Sequence, residues 1–508
     1  MKLKFTKLSH SRSMLGLFIS TFAVISFSNS VMAEKTQPNI IYINTDDWGI
    51  GKVPCYEMDE VSQKIIKTPN LDRLRKEGMK FTRAYAGNAV CGPSRCSLMS
   101  GKHPGNAAWR ANSKEPPVEL WPPKHPMLGS VARDAGYATA GFGKLSAGGS
   151  EKPKTITGYG FDYWLGFLSH FDCRDYYPHH IYENGQQIEL PKNRPDLLEG
   201  TIIPSNKNTS GGVVPPGVGT FTENLYADKA IEFIKKNTEI KKPFFIYLAS
   251  TVPHGGMPGG MRVPDMAGYD KYEELTLREK VYCALMTHHD RNVGRIIDAV
   301  EQLGIQNNTI IMWTSDNGDE DSYYLKTDTF KGNGSLRMYK RYLYEGGIRV
   351  PLIAWWPGTI EAGSVCDLPT AQYDLMPTLA DAGAKAITEE MDGISIMPTL
   401  RGEGEKQTKR EYLYWEFYER GKQQAVHMGK WKAYRKNGLK GKTELFDLTT
   451  DISEEKNLAG KYPEIVKRME EIMEKEHTTH PRWRLPGIDP ELKDVPQKRK
   501  RAKKKKKA

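Results

Sequence analysis

A cysteine, a proline, a serine and an arginine stand at close spacing in Cys91-Gly92-Pro93-Ser94-Arg95-Cys96-Ser97-Leu98-Met99-Ser100-Gly101-Lys102. The apolar residues that follow read as the first turns of a helix. Proline is tolerated early in a helix because its missing N–H has no intrahelical partner there. A thiol at such a mouth faces unpaired backbone donors and the positive helix end, which suits a nucleophile or a bound anion. Arg95 adds a fixed cation beside it. From this stretch alone, a buried structural cysteine near a helix cap is the plainer alternative.

Asp46 and Asp47 come directly after the apolar run Asn39 to Thr45. Adjacent carboxylates are costly side by side unless a cation neutralises them. Lys144 follows the run Tyr137 to Phe142, His254 follows Phe244 to Ser250, and Asp316-Asn317 follow Thr309 to Ser315. Lys340 precedes Tyr344-Glu345-Gly346-Gly347-Ile348-Arg349-Val350-Pro351. Asp46, Asp47, Asp316 and Asn317 offer only oxygen ligands, which suit Ca2+ or Mg2+ rather than a zinc site of thiolates and imidazoles.

The runs that carry these residues read as short buried strands, β-branched and apolar. Between them lie helical patterns opening at Thr68, at Lys229 to Lys236, from about Leu275 to Leu303, and at Tyr373 to Ala382. Strands alternating with helices predict an α/β fold with a mostly parallel central sheet flanked by helices. Ligands bind outside the carboxyl ends of such strands, and Asp46, Lys144, His254, Asp316 and Asn317 all fall there. After about residue 400 the texture changes to short strands, Glu411 to Phe417, Gln424 to Met428, Trp431 to Arg435 and Glu444 to Asp447, then a charged helix from Pro463 to Glu476. The expected division is a signal peptide at 1–33, a catalytic α/β domain at 34–400, a smaller C-terminal α+β domain with an antiparallel sheet at 401–485, and a basic tail at 486–508.

The leader reading rests on Lys2, Lys4, Lys7 and Arg12 ahead of the apolar run Met14 to Phe27, with small residues at Val31-Met32-Ala33 for cleavage. That run is too short for an anchor, no later stretch is long and apolar enough to span a bilayer, and the protein is expected to be exported, periplasmic or secreted. The formal charge of +11 falls to −2 once the four cations of the leader and the nine from Lys498 to Lys507 are set aside, so it does not argue for nucleic-acid binding. The six cysteines, at 55, 91, 96, 173, 283 and 366, form no zinc-like pairs. Export permits disulfides, but their pairing is not assigned.

The Cys91 stretch resembles the signature of type I sulfatases in the alkaline phosphatase superfamily, Cys-x-Pro-Ser-Arg-x-x-Leu-x-Thr-Gly-Arg, with Ser100 and Lys102 as variants. The Pro-His turn at 253–254, the Tyr344 to Pro351 motif and the Leu445 to Asp451 pattern match as well. The resemblance implies that Cys91 is oxidised to formylglycine by a formylglycine-generating or anaerobic maturation enzyme. It also implies that Asp46, Asp47, Asp316 and Asn317, with residue 91, hold one divalent cation per chain, Ca2+ in preference to Mg2+. In that pattern Arg95 steadies the formylglycine oxygens, Lys144 and Lys340 bind the sulfate, and His254 protonates the leaving oxygen. One departure concerns Gly143-Lys144-Leu145-Ser146, where many sulfatases carry histidine two residues after the lysine. Ser146 or a loop histidine (His103, His179 or His180) is left to fill that role.

The expected activity is sulfatase, arylsulfatase-like, on a sulfated saccharide or small sulfate ester. The alternatives are a phosphonate or phosphate monoester hydrolase of the same superfamily and a non-catalytic protein that binds sulfated glycans.

Overall fold

Asn39–Asp46 (β1) lies at the centre because its alternate residues are apolar on both sides. Ile41 and Ile43 pack into one hydrophobic cluster, and Ile40 and Tyr42 into another across the sheet. Every residue of the strand is buried, as a strand covered on both faces requires. The computed structural model describes residues 37–112, 125–145, 159–168, 173, 175–198, 201, 211–215, 217–255, 261–320, 325, 328–386 and 391–490. The leader, Ser146 and the tail beyond 490 lie outside the described residues.

Among the described residues the central sheet has ten strands. In chain order after β1 come β2 (Met79–Phe81), β3 (Ala138–Lys144), β4 (Tyr163–Phe167) and β5 (His180–Glu183). Then follow β6 (Gln186–Glu189), β7 (Phe244–Pro253), β8 (Thr309–Ser315), β9 (Leu352–Trp355) and β10 (Ser364–Cys366). Across the sheet the order is β10-β2-β9-β8-β1-β7-β3-β4-β5-β6. The inner strands β8, β1, β7, β3 and β4 run parallel. β9 is antiparallel to both neighbours, and β5 and β6 finish the other edge antiparallel. The sheet is therefore mixed and mostly parallel, as the alternating pattern predicts.

Helices cover both faces. Leu71 and Leu74 of α1 (Pro69–Glu77) share the Ile41 and Ile43 cluster with later helices. On the opposite face Leu98 and Met99 of α2 (Cys91–Ser100) meet Ile40 and Tyr42, together with α3 (Leu128–Asp134). The first face is completed by α4 (Thr222–Glu239) and α5 (Leu277–Gln302), and the second by α6 (Leu375–Ala382). α5 starts at a reciprocal cap: the Thr276 hydroxyl accepts from Glu279 N–H, and Glu279 accepts from Thr276 N–H.

Four antiparallel strands follow, β11 (Leu413–Phe417), β12 (Gln423–Met428), β13 (Trp431–Lys436) and β14 (Glu444–Asp447), in that order across the sheet. Tyr414, Val426, Ala433 and Leu445 meet Met469 and Met473 of α7 (Pro463–Lys475). Leu413, Trp415, Phe417 and Phe446 pack instead with Val90, Cys91 and Ile348. No helix among the described residues is long and apolar enough to cross a membrane, and the six cysteines form no disulfide.

Candidate active site

The strand register brings the chemistry-bearing residues level. Thr45 pairs with Ser315, so Asp46 and Asp316 leave neighbouring strands at the same height. Asp46 itself pairs with Pro253 past an irregularity in the ladder, which sets it beside His254. Gly143 pairs with Ala249 just before Lys144. Its φ is 95°, and a Cβ there would lie 2.1 Å from the Ala249 carbonyl oxygen, so only glycine lets β3 reach the site in this conformation. Gly318 serves a similar purpose: a Cβ would lie 1.8 Å from the Gly346 carbonyl, so the loops after β8 and before β9 touch backbone to backbone.

Cys91 is the first residue of α2 and is buried. Val90 precedes it in extended conformation and contributes no side-chain cap, leaving the first-turn N–H groups without intrahelical acceptors. The Asn112 amide donates to Cys91 Sγ at 3.3 Å. One turn along, Arg95 is fully buried. Its Nε donates to Asp316 Oδ2 at 2.9 Å, Nη1 to the Lys144 carbonyl at 3.1 Å and the Tyr247 hydroxyl at 3.2 Å, and Nη2 to the Thr45 carbonyl at 3.4 Å. One guanidinium thus ties the ends of β1, β3 and β8 together, while its charge stays within electrostatic reach of Cys91.

Two lysines answer the two adjacent aspartates. Lys144 Nζ lies 2.5 Å from Asp46 Oδ2, and Lys340 Nζ lies 2.7 Å from Asp47 Oδ2 and 2.8 Å from Glu320. Burial alone would push both ammonium groups down, but the carboxylates outweigh it and hold them above the ordinary lysine range. Burial likewise favours the neutral acids, yet Lys144 keeps Asp46 ionised and Lys340 keeps Asp47 ionised, both below the usual carboxylate range. Asp316 goes the other way, to about 7, through burial and the nearby Asp46 charge. His254 Nε2 lies 3.7 Å from Asp47 Oδ2, and burial pulls its imidazole down to about 4.

The same group fits a hard divalent cation. Asp46, Asp47 and His254 each offer a ligand atom, and the three lie within 4.8 Å of one another. Asp46 Oδ1 and Asn317 Oδ1 are buried and accept no hydrogen bond, a cost of about 1–3 kcal/mol each that a bound cation would offset. The Asn317 amide is oriented by donation to Asp47 Oδ1 and the Gly318 carbonyl, both at 2.7 Å. Three carboxylates and an amide oxygen form the donor set of Ca2+ or Mg2+.

Cys91, Arg95, Lys144, His254, Lys340, Asp46, Asp47, Asp316 and Asn317 therefore come together around the end of the sheet. The loop histidines do not. His103 follows the far end of α2, roughly 14 Å of helix from Cys91, and bonds Glu476 at 3.0 Å. His180 opens β5, two strands away from Lys144, and His179 is exposed beside it. Ser146 lies outside the described residues. Sequence reasoning passed over Asn112, Tyr247 and Glu320. Asn112 belongs to no motif, Tyr247 looks like a core residue, and Glu320 was readable only as the end of the acidic run that starts at Asp316.

A sequence-family profile described as Sulfatase matches residues 38–384, and one described as N-sulphoglucosamine sulphohydrolase, C-terminal, matches residues 334–479. The chain is 30% identical over 412 residues to the N-acetylgalactosamine-6-sulfatase of Mus musculus, covering 78% of this chain and 72% of that protein. It is 25% identical over 554 residues to the N-acetylglucosamine-6-O-sulfatase of Bacteroides thetaiotaomicron, covering 95% and 93%. The crystal structure of Ps i-CgsB in complex with k-i-k-neocarrahexaose superposes with a TM-score of 0.71 at 25% identity, covering 87% of this chain and 94% of that one. The phosphonate monoester hydrolase of Agrobacterium radiobacter shares the fold, with a TM-score of 0.61 at 19% identity over 87% and 96% of the two chains.

Proposed function

The chain belongs to the sulfatase family of sulfuric ester hydrolases, and from that premise we propose that it is an exported enzyme removing sulfate from saccharides. One observation carries the reading: Cys91, the first residue of α2, lies within electrostatic reach of two buried lysines paired to adjacent aspartates, beside Asp46 Oδ1 and Asn317 Oδ1, which accept no hydrogen bond. The saccharide part is supported by the named sugars of the relatives. The leader motif supports export, and periplasmic or secreted placement follows from it.

Oxidation of Cys91 to formylglycine supplies, on hydration, two hydroxyls on one carbon, one to attack sulfur and one to expel sulfate. Asp46, Asp47, Asp316 and Asn317 would hold a divalent cation, calcium in the family pattern, whose charge would polarise that nucleophile. The remaining work belongs to this chain's side chains. Lys144 and Lys340, held charged by their carboxylate neighbours, stabilise the sulfate oxygens as negative charge builds on them. Asn112 orients the reacting group at residue 91. His254 protonates the leaving oxygen, its Nε2 standing 3.7 Å from Asp47 Oδ2 at the edge of the same pocket. Arg95 fixes the strand ends on which these groups sit.

The test is a parallel assay of protein whose Cys91 conversion is verified by peptide mass. Nitrophenyl sulfate and defined sulfated saccharides are expected to be turned over faster than nitrophenyl phosphate or phenyl phosphonate esters. The reverse preference assigns the site to phosphonate or phosphate monoester hydrolysis. Binding of sulfated saccharides with no turnover of any of them makes the protein a glycan-binding relative. Cys91→Ser, produced in a host that matures only cysteine, is expected to lose all turnover.

A further inference from the structure

The loop that carries Lys340 also carries an aromatic face outside the pocket. Arg341 stands at φ 76°, a conformation L side chains rarely adopt, and its N–H donates to the Ala89 carbonyl at 2.7 Å. That bond presses the loop against the approach to Cys91. Tyr342 follows, half-buried, packed on the cluster that contains Cys91 and Val90. Two residues from Lys340, it lies no more than about 7 Å away along the chain.

Two cations from the C-terminal sheet converge on this ring. The turn between β11 and β12 holds Arg420, Gly421 and Lys422 all at positive φ, which carries Arg420 into solvent. Asn437 N–H donates to the Gly421 and Lys422 carbonyls at 2.8 and 3.1 Å, and Gln423 pairs with Lys436, so the turn that carries Arg420 closes beside the strand end that carries Lys436. The Arg420 guanidinium is 5.7 Å and Lys436 Nζ 5.6 Å from the centre of the Tyr342 ring. Neighbouring Arg341 is neutralised by Glu419 and lies 3.7 Å from Glu320. Arg420 and Lys436 have no carboxylate partner among the described residues. Two cations gathered at one ring without a carboxylate counter-charge make the local potential positive, which draws an anion to this edge of the loop.

We propose that Arg420, Lys436 and the Tyr342 ring form a saccharide subsite on the rim of the pocket. It takes a second anionic group, sulfate or carboxylate, on the sugar next to the one losing sulfate. The assignment rests on the reading of the pocket as a sulfate-ester site. Arginine presents a planar fork that matches sulfate and carboxylate oxygens, lysine adds a point charge, and the Tyr342 ring, with both cations over it, holds them at the loop of Lys340.

The experiment compares the double variant Arg420→Ala/Lys436→Ala with the parent enzyme on 4-nitrophenyl sulfate and on three sulfated disaccharides. In these the neighbouring sugar carries a carboxylate, a second sulfate or no charge. The expected result is a fall of about tenfold or more in kcat/KM for a doubly anionic disaccharide relative to 4-nitrophenyl sulfate, expressed in KM. Whichever doubly anionic disaccharide shows it identifies the group taken. The uncharged-neighbour disaccharide is expected to track 4-nitrophenyl sulfate. An unchanged ratio, or an equal loss on all four compounds, overturns the subsite. Calorimetric titration of the disaccharides into Cys91→Ser protein, with and without the double change, separates the two readings. If the parent enzyme turns over nothing, the catalytic reading fails, whereas the subsite fails only if the double change leaves disaccharide affinity intact.

Discussion

Arg95 shows why the type of a single residue matters in this pocket. A lysine would keep the charge but could not serve Asp316, the Lys144 carbonyl, the Tyr247 hydroxyl and the Thr45 carbonyl together. Arg95→Lys is therefore expected to lower the stability of the whole protein by about 3 kcal/mol, read as a shift in the urea midpoint; an unchanged midpoint would show that the strand ends hold without it. The orphaned oxygens of Asp46 and Asn317 lead to a second expectation. Calcium chloride added after exhaustive chelation should raise the thermal midpoint, with about 2.7 kcal/mol gained at a hundredfold excess over Kd. Asp46→Asn should abolish most of that gain, and an equal response in both proteins would place the ion elsewhere. Asp46, Lys144, His254 and Asp316 were legible in the sequence because each follows an apolar strand. Tyr247 was not, because a hydroxyl within a buried run declares no partner until Arg95 is seen beneath it.

Helix α1 illustrates the limit of local reading at the scale of elements. Thr68 stands at its N-cap position, as its place before the helix suggests, but its hydroxyl is buried and makes no hydrogen bond. The cap comes from α5: Asp290 accepts from Asn70 N–H at 3.0 Å, Leu71 N–H at 2.8 Å and the Asn70 amide at 2.8 Å. Asp290→Ala is expected to cost about 1–3 kcal/mol by stranding those donors, with Asp290→Asn closer to the parent because its amide oxygen still accepts. Unfolding midpoints of the three proteins decide it, and equal midpoints would refute the long-range cap. β9 shows another limit. The run Leu352 to Trp355 is apolar whichever way the strand runs, so its antiparallel pairing with β8 and β2 leaves no mark on the pattern. The parallel inner strands were legible because apolar runs alternate with helical patterns, most plainly α4 and α5, of 18 and 26 residues, on the way to β7 and β8.

The C-terminal sheet is bonded into the segment that enters α2. Trp415 Nε1 donates to the Ala86 carbonyl at 3.0 Å, the Asn88 amide donates to the Glu416 carbonyl at 3.1 Å, and Lys432 lies 2.7 Å from Glu345. Behind it His477 bridges Glu416 at 2.8 Å and Asp489 at 2.9 Å, while Arg110 pairs with Glu416. Burial opposes charge on His477, but its bond to Glu416 together with the charges of Glu416 and Asp489 outweighs burial and raises its pKa. The stability it contributes is fully present below the unfolded value of about 6.5 and is lost as pH rises through the higher folded value. The parent protein is thus expected to lose more stability than His477→Gln as pH rises from 6 upward, measured by denaturant unfolding at each pH. Parallel pH profiles would remove His477 from the account. The same long-range docking also sets a schedule. Cys91 is only 3% exposed, and Trp415, in the same hydrophobic cluster, bonds to a residue 329 positions earlier. At ordinary synthesis rates those residues arrive on the order of tens of seconds after Cys91. On the reading of Cys91 as the residue oxidised by a maturation enzyme, that enzyme has its opening in this interval, and maturation is a race against the folding of the chain's own last fifth: slower docking leaves the door open longer.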